Sequence, residues 1–349
     1  MFPWLEEPWF KLKQIFTSPR APHAVILYGT DGLGKKEMAR ELGQLFLCMS
    51  GSLGGYCGCC QSCLLMKSDT HPDYHLLSWI PGTRITVEKI REIIQEDSLA
   101  PRISSGKVFV IENAENMTVE AANALLKVLE EPSGKTLFIL TVDSISRILP
   151  TILSRCIHYR IQNPTFAAAR PWMLKNLADR NICITEAVYS FNGQSPLDTV
   201  RFYNDGYYRM MQSLAQMLAY CVRDPSTTQR LTEVLTQISV KKQQEAEEKR
   251  QEATGEKSKA RSFRLRISDV YAMLYALLSD VLRYRVTGRL DRNIIYQSRE
   301  LLAYYDGIPD LAFDQALNDL TARLRREQNM PNSCAALGIS SWFNNLIRK

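Results

Sequence analysis

The first 160 residues alternate between short apolar runs and longer amphipathic segments. Four apolar runs have the length and continuity of buried strands, and they occupy 23–29, 106–114, 135–143 and 155–161. Apolar residues at helical spacing predict helices between them, at 35–48, 85–100 and 118–132. Strands that alternate with helices predict an α/β fold, with a parallel sheet covered by helices on both faces.

Local signals refine two of these helices. Thr86 is a plausible cap for the helix at 85–100, and Val87, Ile90 and Ile94 lie on its apolar face. Pro132 is expected to end the preceding helical pattern because proline cannot continue a helix.

The remainder of the chain shows helical periodicity alone. Asn163-Pro164 marks a predicted boundary, followed by a small helical unit at 165–205 and an all-α domain at 206–349. Leu, Met and Tyr at helical spacing in this part favour a packed core over a cofactor site. The segment 241–264 is charged and almost free of apolar residues. We interpret it as a solvated helix extension or a flexible insertion, with a nucleic-acid-binding arm as an alternative.

Composition adds limits. The 349 residues leave room for about two or three domains, and no run of apolar residues is long enough for a transmembrane helix. The first residues show no signal-peptide pattern, so a cytoplasmic location is expected. The net charge of +6 is compatible with nucleic-acid binding but does not establish it.

A glycine-rich loop, "GTDGLGKK" at 29–36, lies between the first predicted strand and helix. This context is typical of a phosphate-binding loop, and Gly29, Gly34 and Lys35 fit the pattern G-x-x-x-x-G-K-[ST]. Lys36 stands where a hydroxyl should ligate magnesium, and an ammonium group has only donors and repels a cation. A tight turn without a ligand is the alternative interpretation.

Cysteine is abundant, with nine residues in the chain and a dense cluster in "CGCCQSC" at 57–63. In a reducing compartment such a cluster favours a metal site over disulfides.

Several long motifs identify a family. They are "HAVILYG" (23–29), "THPDY" (70–74), "AENMTVEAANALLKVLEEP" (114–132) and "LPTILSRC" (149–156), together with the cysteine pattern. This combination resembles the clamp-loader branch of the AAA+ ATPases, and most of all the delta-prime family of bacterial DNA polymerase III. The resemblance implies an AAA+ module at 1–205, made of the α/β domain 1–164 and a helical lid at 165–205, then a helical collar at 206–349.

The resemblance implies a degenerate nucleotide site. A phosphate cradle is expected from Gly29, Gly32, Gly34 and Lys35. Thr141 is similar to the polar sensor by which family members detect the γ-phosphate.

The acids of that site depart from the pattern of active relatives. Glu112 and Asn113 stand where such relatives carry Asp-Glu, and Asn113 cannot take a proton as a general base. Two substitutions, Lys36 and Asn113, therefore oppose hydrolysis. Two possibilities stay open: the site binds ATP or ADP without hydrolysing it, or it binds no nucleotide.

Arg155 in "SRC" matches the arginine that reaches a neighbouring subunit's ATP in clamp loaders. Such an arginine finger neutralises charge on the transferred phosphoryl group. The alternative is that Arg155 forms an internal salt bridge.

The family pattern also implies a structural zinc ion held by four thiolates, those of Cys48, Cys57, Cys60 and Cys63. Cys59 is outside the set by register with the family, and its exchange with Cys60 is an alternative. His71 and His75 are competing candidates, although His71 belongs to "THPDY" and is better explained as structural.

The implied function is that of a non-hydrolysing subunit of the clamp loader. Its partners would be the gamma/tau and delta subunits in a heteropentamer, the sliding clamp, and primer-template DNA through the complex. An active gamma/tau-type ATPase is the alternative, and Lys36 and Asn113 both oppose it. A stand-alone nucleic-acid-binding module has little support from the modest charge.

Overall fold

The computed structural model describes residues 1–18, 20–50, 55–80, 83–179, 184–223, 267–290, 294–296, 298–306 and 308–326. The charged segment 241–264 and the chain beyond residue 326 therefore lie outside the described residues. Two compact units are present, the first formed by Met1–Met173 and Gly193–Leu197. The second holds Leu174–Asn192 and the chain from Asp198 onward.

The first unit is built on a five-stranded parallel sheet. Its strands are β1 (Ala24–Tyr28), β2 (Tyr74–Leu77), β3 (Lys107–Ile111), β4 (Thr136–Val142) and β5 (Ile157–Arg160). Their order across the sheet is β2-β3-β4-β1-β5, and every neighbouring pair is parallel. The predicted parallel sheet is confirmed, and the four predicted strands correspond to β1, β3, β4 and β5. The edge strand β2 was not predicted.

Helices flank these strands in chain order. Their bounds are α1 (Glu6–Phe16), α2 (Lys35–Leu47), α3 (Gln61–Lys67), α4 (Val87–Ser98), α5 (Val119–Glu130) and α6 (Pro150–Leu153). Thr118 caps α5, since its hydroxyl accepts the Ala121 N–H at 3.2 Å. Thr86 occupies the N-cap position of α4, but its side chain forms no capping hydrogen bond there, so that part of the prediction is wrong.

Apolar side chains fill both faces of the sheet. Along β1, Ala24 and Ile26 pack with α4 and α5, whereas Val25 and Leu27 pack with α1 and α2. Alternate residues of a strand point to opposite faces, so a strand buried on both sides needs a continuous apolar sequence. Each large side chain buried in this way contributes about 1.5–3 kcal/mol.

The later helices are α7 (Phe166–Asn176), α8 (Glu186–Phe191), α9 (Pro196–Asn204), α10 (Tyr207–Arg223), α11 (Ile267–Thr287), α12 (Arg299–Ala303) and α13 (Asp310–Arg326). The apolar stripes of α10 and α11 are buried as core, as predicted. Tyr305 fixes this packing because its hydroxyl donates to the Ala215 carbonyl at 3.1 Å. The boundaries near residues 164 and 205 stay predictions. Across the described residues, no helix has the length and apolar character needed to span a membrane.

Candidate nucleotide site and cysteine cluster

The predicted nucleotide-site residues converge at the carboxyl ends of three adjacent strands. Gly29 follows β1, Glu112 follows β3 and Thr141 lies near the end of β4, and these strands are neighbours in the sheet. Ligands of open α/β sheets bind in this region, outside the carboxyl ends of the strands.

The loop between β1 and α2 requires glycine at two close approaches. A Cβ atom on Gly29 would lie 2.5 Å from the Ile161 carbonyl oxygen. Gly34 has φ +89°, and a Cβ atom there would lie 2.6 Å from the ring of Phe2. The carbonyl of Gly32 accepts the Leu197 N–H at 3.3 Å. The loop is therefore closely packed by other parts of its own unit.

Lys35 is turned inward and fully bonded. Its side chain is 6% exposed, and Nζ donates to the Gly29 carbonyl, the Thr30 carbonyl and Oδ1 of Asp143, each at 2.7 Å. A lysine ammonium has three donors, so these acceptors use all of them. In this conformation the lysine binds its own loop and has no donor left for a phosphate.

An aromatic cluster at the N-terminus covers the loop. The Trp4 indole N–H donates to the Leu33 carbonyl at 2.9 Å, and the Trp4 ring stacks on Phe2 with centroids 5.0 Å apart. Trp172 packs edge-on against both rings, at 5.2 and 5.0 Å. Sequence reasoning missed this cover, and the aromatic residues at the start of the chain were the signal that pointed to it.

Lys36 forms an ion pair with the carboxylate of Glu112. The Glu112 side chain is 4% exposed, whereas that of Lys36 is 42% exposed and reaches the acid from the surface. A buried carboxylate needs a cation or several donors beside it. In this chain that cation is the side chain that replaces the metal-binding hydroxyl of the loop pattern.

Asn113 donates hydrogen bonds to both Thr141 and Asp143. Asn113 has φ +48°, and its N–H donates to Oγ1 of Thr141 at 3.2 Å. Its side-chain amide donates to Oδ2 of Asp143 at 3.2 Å.

Asp143 thus binds both Asn113 and Lys35, although sequence reasoning did not single it out. Its position directly after a buried strand was the available signal. Its own N–H donates to Oε1 of Glu115 at 3.0 Å, and burial raises the pKa of Glu115.

Arg155 follows α6 and is paired within its own chain. Its Nε donates to Oε1 of Glu130 at 2.7 Å, and Nη2 also pairs with that carboxylate. Nη1 donates to the Thr151 carbonyl at 2.8 Å and to Oγ of Ser154 at 3.1 Å. The internal salt bridge considered from the sequence is therefore present in the single chain, and sequence reasoning had not identified Glu130 as the partner.

The four predicted zinc-ligating cysteines come together. The sulfur atoms of Cys48, Cys57, Cys60 and Cys63 all lie within 4.8 Å of one another. The Cys48–Cys57 and Cys57–Cys63 pairs are 3.7 and 4.0 Å apart. Tetrahedral zinc with Zn–S bonds of about 2.3 Å places its sulfur atoms about 3.8 Å apart. Cys59 is exposed and is not a member of the group.

Backbone N–H groups support thiolates in this cluster. The N–H of Cys57 lies 3.3 Å from the Cys48 sulfur, and the N–H of Cys60 lies 3.3 Å from the Cys57 sulfur. Hydrogen bonds from the N–H groups of Cys59 and Cys60 lower the pKa of Cys57 to about 5. Burial raises the pKa of the Cys63 thiol to about 12, so this thiol would lose its proton on binding metal. Four sulfur ligands at this spacing fit zinc.

The two candidate histidines lie outside the cluster. Nε2 of the buried His71 is 2.9 Å from Oγ of Ser62 and 3.1 Å from Oγ of Ser104. This network ties α3, which carries part of the cluster, to the rest of the unit. The ring of His75 stacks on Phe109 with centroids 4.7 Å apart. Both arrangements are structural.

In comparison with known proteins, the chain is similar in sequence to several subunits of DNA polymerase III. The sequence family described as "DNA polymerase III, delta subunit" matches residues 4–165. DNA polymerase III subunit delta-prime of Pseudomonas aeruginosa is 36% identical over 59% of this chain and 62% of its own length. The Haemophilus influenzae subunit of the same name is 35% identical over 59% of this chain and 63% of its length. The Escherichia coli subunit is 30% identical over 63% of this chain and 66% of its length.

The chain thus covers just under two thirds of the length of these relatives. Among solved structures, a DNA polymerase III gamma subunit-related protein of Thermotoga maritima matches 97% of this chain and 99% of its own, at 18% identity and a TM-score of 0.46. By its sequence relatives, the chain belongs to the family of DNA polymerase III delta-prime subunits.

Proposed function

We propose that this chain is a non-hydrolysing delta-prime subunit of the DNA polymerase III clamp loader. In that role it helps to place the ring-shaped sliding clamp on primed DNA, and it leaves ATP hydrolysis to neighbouring subunits. Family membership supports the complex, and the geometry of the loop supports the absence of hydrolysis.

The ion pair between Lys36 and Glu112 carries the non-hydrolysing part of the proposal. In a working site, a loop hydroxyl and the acid after the strand hold magnesium beside the phosphates. Here the two corresponding side chains neutralise each other, so a magnesium ion would have to displace a lysine from a buried carboxylate. Asn113 adds a second obstacle because an amide cannot accept the proton of an attacking water.

Nucleotide binding is disfavoured by the closed loop. A phosphate entering the cradle would have to draw Lys35 away from two carbonyl groups and Asp143. The N-terminal aromatic cluster would have to give way as well where Phe2 packs on Gly34. We therefore favour a resting state without ATP or ADP.

The cysteine cluster suits a structural zinc ion. Four thiolates complete a tetrahedral shell and leave no position for a substrate. Its members follow α2 and enter α3, so a bound ion would fix the segment that joins these helices.

Arg155 is the residue through which this subunit would take part in chemistry. It lies partly exposed after α6, and a planar guanidinium is suited to the charge of a transferred phosphoryl group. We propose that it acts on the ATP of a neighbouring gamma/tau subunit.

Two assays test the function. A clamp loader is reconstituted from gamma/tau and delta subunits with and without this chain, and clamp loading on primed DNA is measured. Loading should require this chain, and the isolated chain should show no steady ATP turnover. Steady turnover that is lost in Lys35→Ala would instead favour the active gamma/tau-type subunit. Equal loading without the chain would contradict the proposed role in the complex.

A further inference from the structure

The guanidinium group of Arg155 is held by its own chain on two sides. Its Nε and Nη2 atoms pair with the carboxylate of Glu130, the last residue of α5. Its Nη1 atom donates to the Thr151 carbonyl and to Oγ of Ser154, both at the short helix α6. Each of the three guanidinium nitrogens therefore has an acceptor in the same subunit.

The Glu130 carboxylate occupies one of the donor edges through which a guanidinium group can bind a phosphate. Guanidinium groups bind carboxylates and phosphates through pairs of N–H donors on one edge. While Glu130 holds Nε and Nη2, a phosphate oxygen cannot take the same two donors. The carboxylate also offsets the positive charge by which an arginine finger stabilises the transferred phosphoryl group.

This ion pair is accessible enough to exchange partners. The side chain of Glu130 is 50% exposed and that of Arg155 is 32% exposed. Exposed ion pairs are weak because water screens both charges and two long side chains must be ordered. A phosphate group, which carries more charge and more acceptor oxygens than a carboxylate, can therefore replace Glu130.

We propose that Glu130 is a positioning residue that retains Arg155 on its own chain until a phosphate of a neighbouring subunit's ATP replaces the carboxylate. The inference rests on the proposed action of Arg155 on that ATP. The new element is the restraint on Arg155. Glu130 keeps the arginine paired before the phosphate arrives, and the strength of this ion pair sets how readily Arg155 binds the phosphate.

The test compares reconstituted clamp loaders that carry wild-type chain, Glu130→Gln, Arg155→Ala or the double variant. Glutamine keeps the size of the side chain and removes its charge. We expect Glu130→Gln to raise steady ATP turnover, by up to about fivefold, which corresponds to the upper strength of an exposed ion pair. Arg155→Ala should lower turnover, and Glu130→Gln should have no effect in the Arg155→Ala background.

The matched control is Glu131→Gln, which removes the exposed acid next to Glu130 and should leave turnover unchanged. Unchanged or lower turnover in Glu130→Gln, with Arg155→Ala still impaired, overturns the restraint and leaves the finger in place. A gain that persists without Arg155 also overturns it. If Arg155→Ala has no effect on turnover, the proposed action of Arg155 and its proposed restraint by Glu130 are both contradicted.

Discussion

At the residue scale, Lys36 stands where the loop pattern has a metal-binding hydroxyl, and it forms an ion pair with Glu112. The Lys36 ammonium lies against the Glu112 carboxylate, whose side chain is almost fully buried. Removing one partner of such a pair costs more than removing both, because a buried charge is left without compensation. Substitutions of Lys36 and Glu112 should therefore have non-additive effects on the free energy of unfolding.

Lys36→Met should lower the midpoint of urea unfolding, because Glu112 would remain buried without its cation. A loss of about 3 kcal/mol is expected, the lower end of the range for a buried charge that loses its partner, because Lys36 itself is partly exposed. Adding Glu112→Leu should recover most of that loss, since the orphaned charge is then gone. Lys127→Met on the exposed face of α5 serves as the control and should change little.

An equal loss in the single and double variants would show that the ion pair does not hold Glu112 in the folded chain. The measurement thus separates the pair from general damage to the loop.

Some of these residues were predictable from the sequence and others were not. Lys36 and Asn113 were identified because each interrupts a known local pattern. Asp143 was not identified because a single acidic residue after a strand matches no sequence motif, and its partner Lys35 lies 108 positions away. Glu130 escaped for the same reason, since only folding brings it to Arg155.

At the element scale, complete burial made the central strands easy to predict from the sequence. The strands β3 and β4 are buried at every residue, and their continuous apolar runs predicted them. The strand β2 lies at the edge of the sheet with no fully buried residue, and its sequence "YHLL" lacked a clear pattern. The other edge strand, β5, also has no fully buried residue, but its longer apolar run at 155–161 predicted it.

From the proposed zinc site, we expect the segment between α2 and α3 to depend on the cysteine cluster. Serine at Cys48, Cys57, Cys60 or Cys63 should reduce bound zinc from one ion per chain to much less, and lower the melting temperature. Cys59→Ser is the matched control, and it should retain the ion because Cys59 is outside the group although it is adjacent to Cys60 in sequence. Metal content of the purified variants is the measurement.

Loss of zinc in Cys59→Ser with retention in Cys60→Ser would favour the exchanged ligand set. Wild-type chain that holds much less than one zinc ion per chain would contradict the proposed zinc site.

At the scale of the whole molecule, the glycine-rich loop is closed, whereas Arg155 is partly exposed. The loop residues bind one another, and Lys35 is buried among them. Arg155 is partly exposed and paired with an exposed acid. The subunit is therefore expected to contribute to ATP turnover only after assembly, through a side chain that acts outside its own loop.

The most direct test measures steady ATP turnover by reconstituted complexes that contain wild-type chain, Lys35→Ala or Arg155→Ala, with assembly checked by gel filtration. We expect turnover within about twofold of wild type for Lys35→Ala. For Arg155→Ala we expect loss of one neighbouring site's contribution, since an arginine finger changes the rate at its own site by ~10³-fold or more. Turnover that falls in Lys35→Ala and is unchanged in Arg155→Ala would contradict a role for Arg155 outside its own loop.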